Sequence, residues 1–360
     1  MAVFFTGFPG FLGSELVERL VKRGEDVTCL VQSKYRDRAE ARAARIERST
    51  GDERSGSVEL VEGDITKAAL GLGAAYEERQ DETDEVFHLA AVYDLGVDRE
   101  VGMAVNVDGT RNVLDFAEGC DLDRFQYVST CYVSGRYDGR FTGDDLVEGQ
   151  RFNNFYETTK YLAEVEVQDR MADGLPATVY RPAIVVGDSD TGATQKYDGP
   201  YYLLRWLLRQ PSVATVNTVL GASDCELNVV PRDFVVDAIV HLSDREDAVG
   251  DVYQLCDPDP LTVAEMVDVL ADATDRRVFR VPLPKCAVKG ALERVPGARR
   301  LTGIEPATID YFDHPTRYDD EATRDALAGT DVECPPFASY VDEMVAFVRD
   351  HPEITPDAMV

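Results

Sequence analysis

The chain has 360 residues, 44% of them hydrophobic, enough for a packed core, which excludes disordered, collagenous and fibrous classes. Acidic side chains outnumber basic ones 67 to 37, and the net charge of −30 repels phosphate backbones and anionic membranes, so nucleic acid is not an expected partner. No apolar run reaches the roughly 18 residues of a membrane span, so no integral membrane segment is expected.

In chain order, Ala2–Thr6 is a short apolar run stopped by Gly7, the first predicted strand. Leu12, Leu16, Val17, Leu20 and Val21 then recur at helical spacing, closed by Gly24. Val27–Val31 reads as a strand, Asp37–Arg48 as a helix, Val58–Val61 and Val86–Leu89 as strands, and Val101–Phe116 as one long helix. Strand Phe125–Ser129, helix Tyr156–Met171 and strand Ala177–Arg181 continue the alternation. Such alternation predicts an α/β fold, a Rossmann-like doubly wound parallel sheet. After about Gly187 the pattern breaks into Gly- and Pro-punctuated pieces, with helices over Val263–Ala273 and Ala338–Asp350. Residues 1–187 are expected to form the nucleotide-binding domain with the reactive groups. Residues 188–360 are expected to form mostly a smaller C-terminal substrate-binding lobe, some of whose segments return to the sheet.

The run Thr6-Gly7-Phe8-Pro9-Gly10-Phe11-Leu12-Gly13 joins the first strand to the first helix. Gly7 allows a tight exit, Gly10 lets backbone N–H groups approach a pyrophosphate, and Gly13 lets the helix pack close to the sheet. Phe11 and Leu12 open the helix, whose N-terminus supplies positive potential. Together they predict a bound dinucleotide. After the second strand, where a carboxylate would read the ribose of NAD, stand Gln32, Ser33, Lys34 and Arg36. These suit the 2′-phosphate of NADP(H), with NAD(H) left open; in the plainer reading Lys34 and Arg36 solvate a loop. Asp64 and Ile65 follow the third strand, where an acid meets the adenine; capping of the next element by Asp64 is compatible with that. Ala90 and Ala91 leave room for a flat ring past the fourth strand, and His88 reads as a satisfied core histidine.

The reactive constellation is Tyr156-Glu-Thr-Thr-Lys160 with Thr130 upstream. Tyr156 and Lys160, four apart, share a helix face. The ammonium is expected to lower the phenol's pKa and bind the nicotinamide ribose, while Thr130 orients the substrate oxygen. Asp198-Gly-Pro-Tyr201 and Leu203–Leu208 read equally as an apolar acyl pocket or a core helix. The acid excess, spread along the chain, predicts a salt-rich setting. None of the seven cysteines forms a CxxC pair, and the four histidines are scattered, so no metal site is expected. Cysteine usage and an opening strand without a leader pattern predict the cytoplasm.

These motifs, with HLAA at 88–91, YVSTCYVSG at 127–135 and RPAIVVGDS at 181–189, resemble the extended short-chain dehydrogenase/reductase superfamily over roughly residues 2–260. The finer likeness is to its thioester-reductase and fatty acyl-CoA reductase-like (male-sterility type) branch. That resemblance implies an enzyme transferring hydride from NADPH to an acyl thioester or aldehyde. It puts Thr130, Tyr156 and Lys160 in the catalytic positions, counts Asn106 among the catalytic residues as the support of the active-site helix, and sets Pro182 and Ile184 in the segment closing over the nicotinamide. The branch usually carries Arg where this chain has Gln32. The implied partner is a small-molecule acyl-CoA or acyl-carrier thioester, with a homodimer left open. Sugar-nucleotide epimerases and hydroxysteroid- or dihydroflavonol-type dehydrogenases share the Thr–Tyr–Lys core, and a non-catalytic NADP sensor is the reading from another class. Cys131 and Tyr132, where sugar dehydratases carry acids, argue against dehydration.

Overall fold

A computed structural model describes residues 1–50, 55–295 and 306–355. The first half contains strands β1 (Ala2–Thr6), β2 (Asp26–Val31), β3 (Val58–Glu62), β4 (Glu85–His88) and β5 (Arg124–Val128). The helices among them are α1 (Phe11–Arg23), α2 (Arg36–Thr50), α3 (Tyr76–Asp81), α4 (Arg99–Gly102) and α5 (Gly109–Glu118). Then come β6 (Gly139–Phe141), α6 (Phe155–Ala172), β7 (Ala177–Pro182), β8 (Ile184–Val186) and α7 (Pro200–Leu208). The remainder holds β9 (Val213–Val219), β10 (Val229–Pro231), α8 (Arg232–Ser243), β11 (Val252–Leu255), α9 (Val263–Ala273), β12 (Arg277–Leu283) and α10 (Lys285–Arg294). The last elements are β13 (Thr316–Tyr318), α11 (Glu321–Leu327) and α12 (Val341–Asp350).

Seven strands form one sheet in the order β11-β7-β5-β4-β1-β2-β3, every neighbour parallel. Its inner strands β1, β4, β5 and β7 are buried along almost their whole length because helices cover both faces. Leu16, Val17, Leu20 and Val21 of α1 pack on one face with Val235, Ile239 and Leu242 of α8; Val113 and Leu114 of α5 pack on the other with Ala163 and Val167 of α6. Gly24, at φ 96°, ends α1 by donating to the carbonyls of Leu20 and Val21. The strand order reverses between β1 and β4, so the loop leaving β1 opens at the crevice where ligands of doubly wound sheets bind.

Two observations refine the expected elements. The helix expected over Val101–Phe116 is interrupted by a π-helical turn at Met103–Asp108, which periodicity alone does not reveal. Beyond Gly187 the chain also returns to the sheet, with β11 pairing to β7 at its edge. A second apolar cluster joins Tyr201, Leu204 and Leu207 of α7 to Met266, Val267 and Leu270 of α9 and Met344 and Val345 of α12. Among the described residues, no helix is long and apolar enough to cross a membrane.

Candidate active site

The glycine loop is built so that side chains do not fit. Gly7 adopts φ +102°, and a Cβ there would lie 2.9 Å from the Leu89 Cβ. A Cβ on Gly10 would sit 2.7 Å from the Gly7 carbonyl oxygen; one on Gly13 would sit 2.5 Å from that oxygen and 3.2 Å from the Phe5 ring. The Gly10 N–H is not aimed outward, because it donates to the Gly7 carbonyl at 2.8 Å. The first helical bond runs from Ser14 N to Gly10 O, so the amides of Phe11, Leu12 and Gly13 precede the helix ladder and are the ones available to an anion. This bare cradle, closed by backbone and opening a helix, fits the diphosphate of a dinucleotide.

Around the loop, Thr6 Oγ1 meets His88 Nδ1 at 2.7 Å and accepts from the Ala90 N–H at 3.3 Å. His88 Nε2 meets Thr110 Oγ1 at 2.9 Å, and burial pushes the imidazole pKa down to about 3. It is a neutral core histidine. Ala90 is half-buried and Ala91 exposed at the end of β4.

The residues expected at the ribose are partly engaged elsewhere. Ser33 Oγ donates to Glu62 at 2.5 Å, and Arg36 Nε donates to Glu40 one turn along α2 at 2.7 Å. Lys34 is exposed, with its ammonium 4.8 Å from the Tyr35 ring centre. The Gln32 side chain hydrogen-bonds Asp64. Burial alone would raise the Asp64 carboxyl, but bonds from the Thr66 amide and hydroxyl and from Gln32 hold it below its usual value. Asp64 thus caps the turn at Thr66, while the Ile65 side chain is buried against Gly109.

Asn154 caps α6 by accepting from the Glu157 N–H at 3.0 Å, which fixes the turn that presents Tyr156. Tyr156 and Lys160 are buried on the same helix face, as their spacing predicts. Thr130, just past β5, hydrogen-bonds the Tyr156 hydroxyl, and its own hydroxyl lies 3.4 Å from the Pro182 carbonyl. Burial raises the Tyr156 phenol above its usual pKa; the Thr130 bond pulls it down, while Glu157 and Asp198 push it further up. The lowering expected from Lys160 does not prevail, because burial of the phenol sets the direction of its shift. Lys160 Nζ donates to the Tyr127 hydroxyl at 3.0 Å and to the Val128 carbonyl at 2.9 Å. Burial, opposed by Glu164, lowers its pKa to about 8.

Asn106 is turned to the β4 exit and α6, not among the residues lining the cleft. Its Oδ1 accepts from Val92 N at 2.8 Å, and its Nδ2 donates to the Val92 carbonyl at 3.3 Å and to Thr159 Oγ1 at 3.0 Å. The π-turn presents it there, tying the β4 exit to α6. Counted among the catalytic residues in sequence, Asn106 is by this geometry a positioning residue. Behind α6, Arg181 and Glu164 form a fully buried ion pair at 2.6 Å, and Arg181 also donates to the carbonyls of Thr142 and Asp145.

Tyr156 opens onto a cleft lined by Tyr93, Tyr132, Ile184, Tyr202, Met266 and Phe312, among others. Helix α7 answers both of its sequence readings. Tyr201, Leu204 and Leu207 are core, whereas Tyr202 and Leu203 face the cleft. Tyr93 stands edge-on to Tyr156 at 5.1 Å, and its hydroxyl meets Asp198, which pairs with Lys196 at 3.3 Å. Sequence reading missed Tyr93, Tyr127 and Glu164 as site residues; the first two stand at no local spacing to Tyr156, whereas Glu164, four residues past Lys160 on α6, continues the spacing of Tyr156 and Lys160.

The profile of the male sterility protein family, an NAD(P)-binding family, matches residues 5–239, well over half of the chain. The chain belongs to that family. It is thereby an NAD(P)-dependent extended short-chain dehydrogenase/reductase of the thioester-reductase-like branch. Among solved structures it is similar to the terminal R domain from the myxalamid PKS-NRPS biosynthetic pathway. The two share 27% identity and a TM-score of 0.82, over 99% of this chain and 92% of that one. Among curated relatives, a linear gramicidin synthase of Brevibacillus parabrevis is 26% identical over 97% of this chain but only 7% of its own length. The chain is also similar to a 3β-hydroxysteroid dehydrogenase/Δ5→4-isomerase of Mycobacterium tuberculosis, 27% identical over 81% of this chain and 73% of its own length. The chain spans a quarter or less of the first curated relatives it matches. A UDP-glucuronic acid 4-epimerase from Bacillus cereus in complex with NAD shares the fold, with a TM-score of 0.69 at 16% identity.

Proposed function

We propose that the chain is an NADP(H)-dependent reductase acting on the carbonyl of an acyl thioester, or of the aldehyde derived from it. The observation that carries this reading is that Tyr156, hydrogen-bonded to Thr130, opens onto a mostly apolar cleft one strand-end from the glycine cradle. The dinucleotide, when bound, supplies the hydride.

Gly7, Gly10 and Gly13 clear the backbone for the diphosphate, with the amides of Phe11, Leu12 and Gly13 facing it. Gln32, Ser33, Lys34 and Arg36 border the adenosine ribose, Asp64 and the Ile65 backbone the adenine, and Ala90 and Ala91 the ring system. Pro182 and Ile184 close the nicotinamide side. Lys160 holds the nicotinamide ribose. Thr130 and Tyr156 donate to the carbonyl oxygen as it gains negative charge, and Tyr156 delivers the proton. For a thioester the product of that step is a hemithioacetal, whose C–S bond breaks to give aldehyde and thiol. The preference for NADP rests on Lys34, which is exposed, and on release of Arg36 from Glu40. The region beyond residue 187 acts as the substrate lobe, since it supplies the cleft's apolar wall.

The test is NADPH and NADH oxidation in molar KCl with a long-chain acyl-CoA or its aldehyde. Thioester turnover with NADPH is the expected result. Turnover of aldehydes or ketones alone would favour a hydroxy-group dehydrogenase, a second reading supported by the likeness to the mycobacterial hydroxysteroid enzyme over most of both chains.

A further inference from the structure

The glycine loop brings no cation to the ligand its shape fits. From Thr6 to Ser14 no residue is charged, and the first charge on α1 is the acid Glu15. The helix end supplies only about half an elementary positive charge, against the two negative charges of a diphosphate. In a chain of net charge −30, that imbalance calls for a cationic side chain from elsewhere in the fold.

Arg232 opens α8 beside the loop. β10 pairs with β8 so that Pro231 lies beside Val186, and the Arg232 N–H donates to the Gly187 carbonyl at 3.2 Å. Its guanidinium carbon stands 5.2 Å from the ring centre of Phe11, the residue whose amide begins the cradle. The side chain is only 10% exposed. Its Nε is buried without a partner, and among the described residues the guanidinium makes no hydrogen bond. Glu15 and Asp188 face it at 3.8 Å and 3.6 Å, beyond hydrogen-bond reach.

Those carboxylates are satisfied by other groups. The Glu15 oxygen nearest Arg232 accepts from Arg42 Nη2 at 2.9 Å, and Arg19 lies 3.7 Å from the other oxygen. Asp188 Oδ1 accepts from the Thr191 amide at 3.0 Å and its hydroxyl at 2.7 Å. Asp233, next in the chain, accepts from the Ser189 amide at 2.7 Å and hydroxyl at 2.6 Å. Arg42 spends its Nη2 on Glu15, Glu18 and the Ser14 carbonyl, whereas the Arg232 fork is unfilled. A buried guanidinium without hydrogen bonds is costly, and its planar fork matches the oxygens of a phosphate.

We propose that Arg232 binds the nicotinamide-side phosphate of the dinucleotide, closing the glycine cradle from α8. The side follows from topology. β7, whose chain runs on to Gly187, lies on the β4 side of β1, while β2 and the ribose-facing residues Gln32–Arg36 lie on the other. The proposal rests on dinucleotide binding and is independent of which carbonyl is reduced and of the preference for NADP.

The test is calorimetric binding in molar KCl by the native chain, Arg232→Met and Arg232→Lys. The ligands are NADPH, NADH, ADP-ribose and adenosine 2′,5′-bisphosphate, of which only the last lacks the nicotinamide-side phosphate. Arg232→Met is expected to weaken the first three about tenfold or more and the last less than about twofold. Arg232→Lys keeps the charge without the fork, so it should lose about threefold with the same selectivity, and it carries the test if the Met variant fails to fold. Unchanged affinities overturn the proposal, even if urea unfolding of the ligand-free variant shows lost stability. So does an equal loss for all four ligands, which would mark Arg232 as a staple between α1 and the 187–189 turn. A native chain that binds neither dinucleotide defeats the dinucleotide reading and the proposal with it; one that binds both, beside unaffected variants, defeats the proposal alone.

Discussion

The ammonium of Lys160 lies 3.0 Å from the hydroxyl of Tyr127 and 2.9 Å from the Val128 carbonyl, so these two bonds use two of its three donors. Lys160 and Tyr156 are four residues apart, yet the charge is delivered to the strand and not to the reacting phenol. Tyr156 therefore begins as a buried, protonated donor, which is what an acid for a developing oxyanion requires.

Tyr156→Phe should lower kcat by about 10²–10⁴-fold while leaving the dissociation constant for NADPH within about threefold, since only the proton donor is removed. Stopped-flow turnover with fluorescence titration of NADPH checks both.

Lys160 carries a pH signature. Its ammonium, with a pKa near 8 in the folded chain, is lost as pH rises through that value, so NADPH affinity of the free enzyme should weaken between about pH 7 and 9. The stability effect has the opposite sense. The unfolded lysine still holds its proton up to about pH 10.5, so burying Lys160 costs most below pH 8 and stability rises with pH between the two values. Lys160→Met should abolish both the affinity slope and that rise.

Glu85 is buried, accepts from Gln126 Nε2 at 2.8 Å, and has its pKa pushed up to about 7 by burial. A carboxyl raised on folding favours the native state at low pH and loses that advantage as pH climbs from about 4.5 to 7. Glu85→Gln should thus gain about 2–3 kcal/mol relative to the native chain on going from pH 5 to pH 8, read by urea unfolding at each pH.

The Arg181–Glu164 pair should show the asymmetry of buried charges. Arg181→Met alone leaves Glu164 buried and uncompensated, at a cost of about 3–5 kcal/mol. The double variant with Glu164→Gln should recover much of that loss in denaturant titrations.

Much of the site is legible in the sequence because it is local. The glycine loop needs a strand exit, a close approach and a helix start within eight residues, and Gly7, Gly10 and Gly13 report that spacing directly. Tyr156 and Lys160 are one helical turn apart for the same reason. What the spacing does not carry is the partner across the fold. Lys160 finds Tyr127 from a strand thirty-three residues earlier, and Asn106 finds Val92 across the π-turn. The cleft is assembled from segments near 93, 132, 200, 266 and 312, which no local period links. The π-turn that aims Asn106 adds a register change that apolar periodicity conceals.

The most direct test of the account is single-turnover reduction of a long-chain acyl-CoA by the native chain with NADPH, beside Tyr156→Phe. The account predicts aldehyde and free thiol from the native chain, in step with NADPH loss, and none at a comparable rate from the variant. Native-like thioester reduction by Tyr156→Phe, or NADPH loss without thiol release, would contradict it.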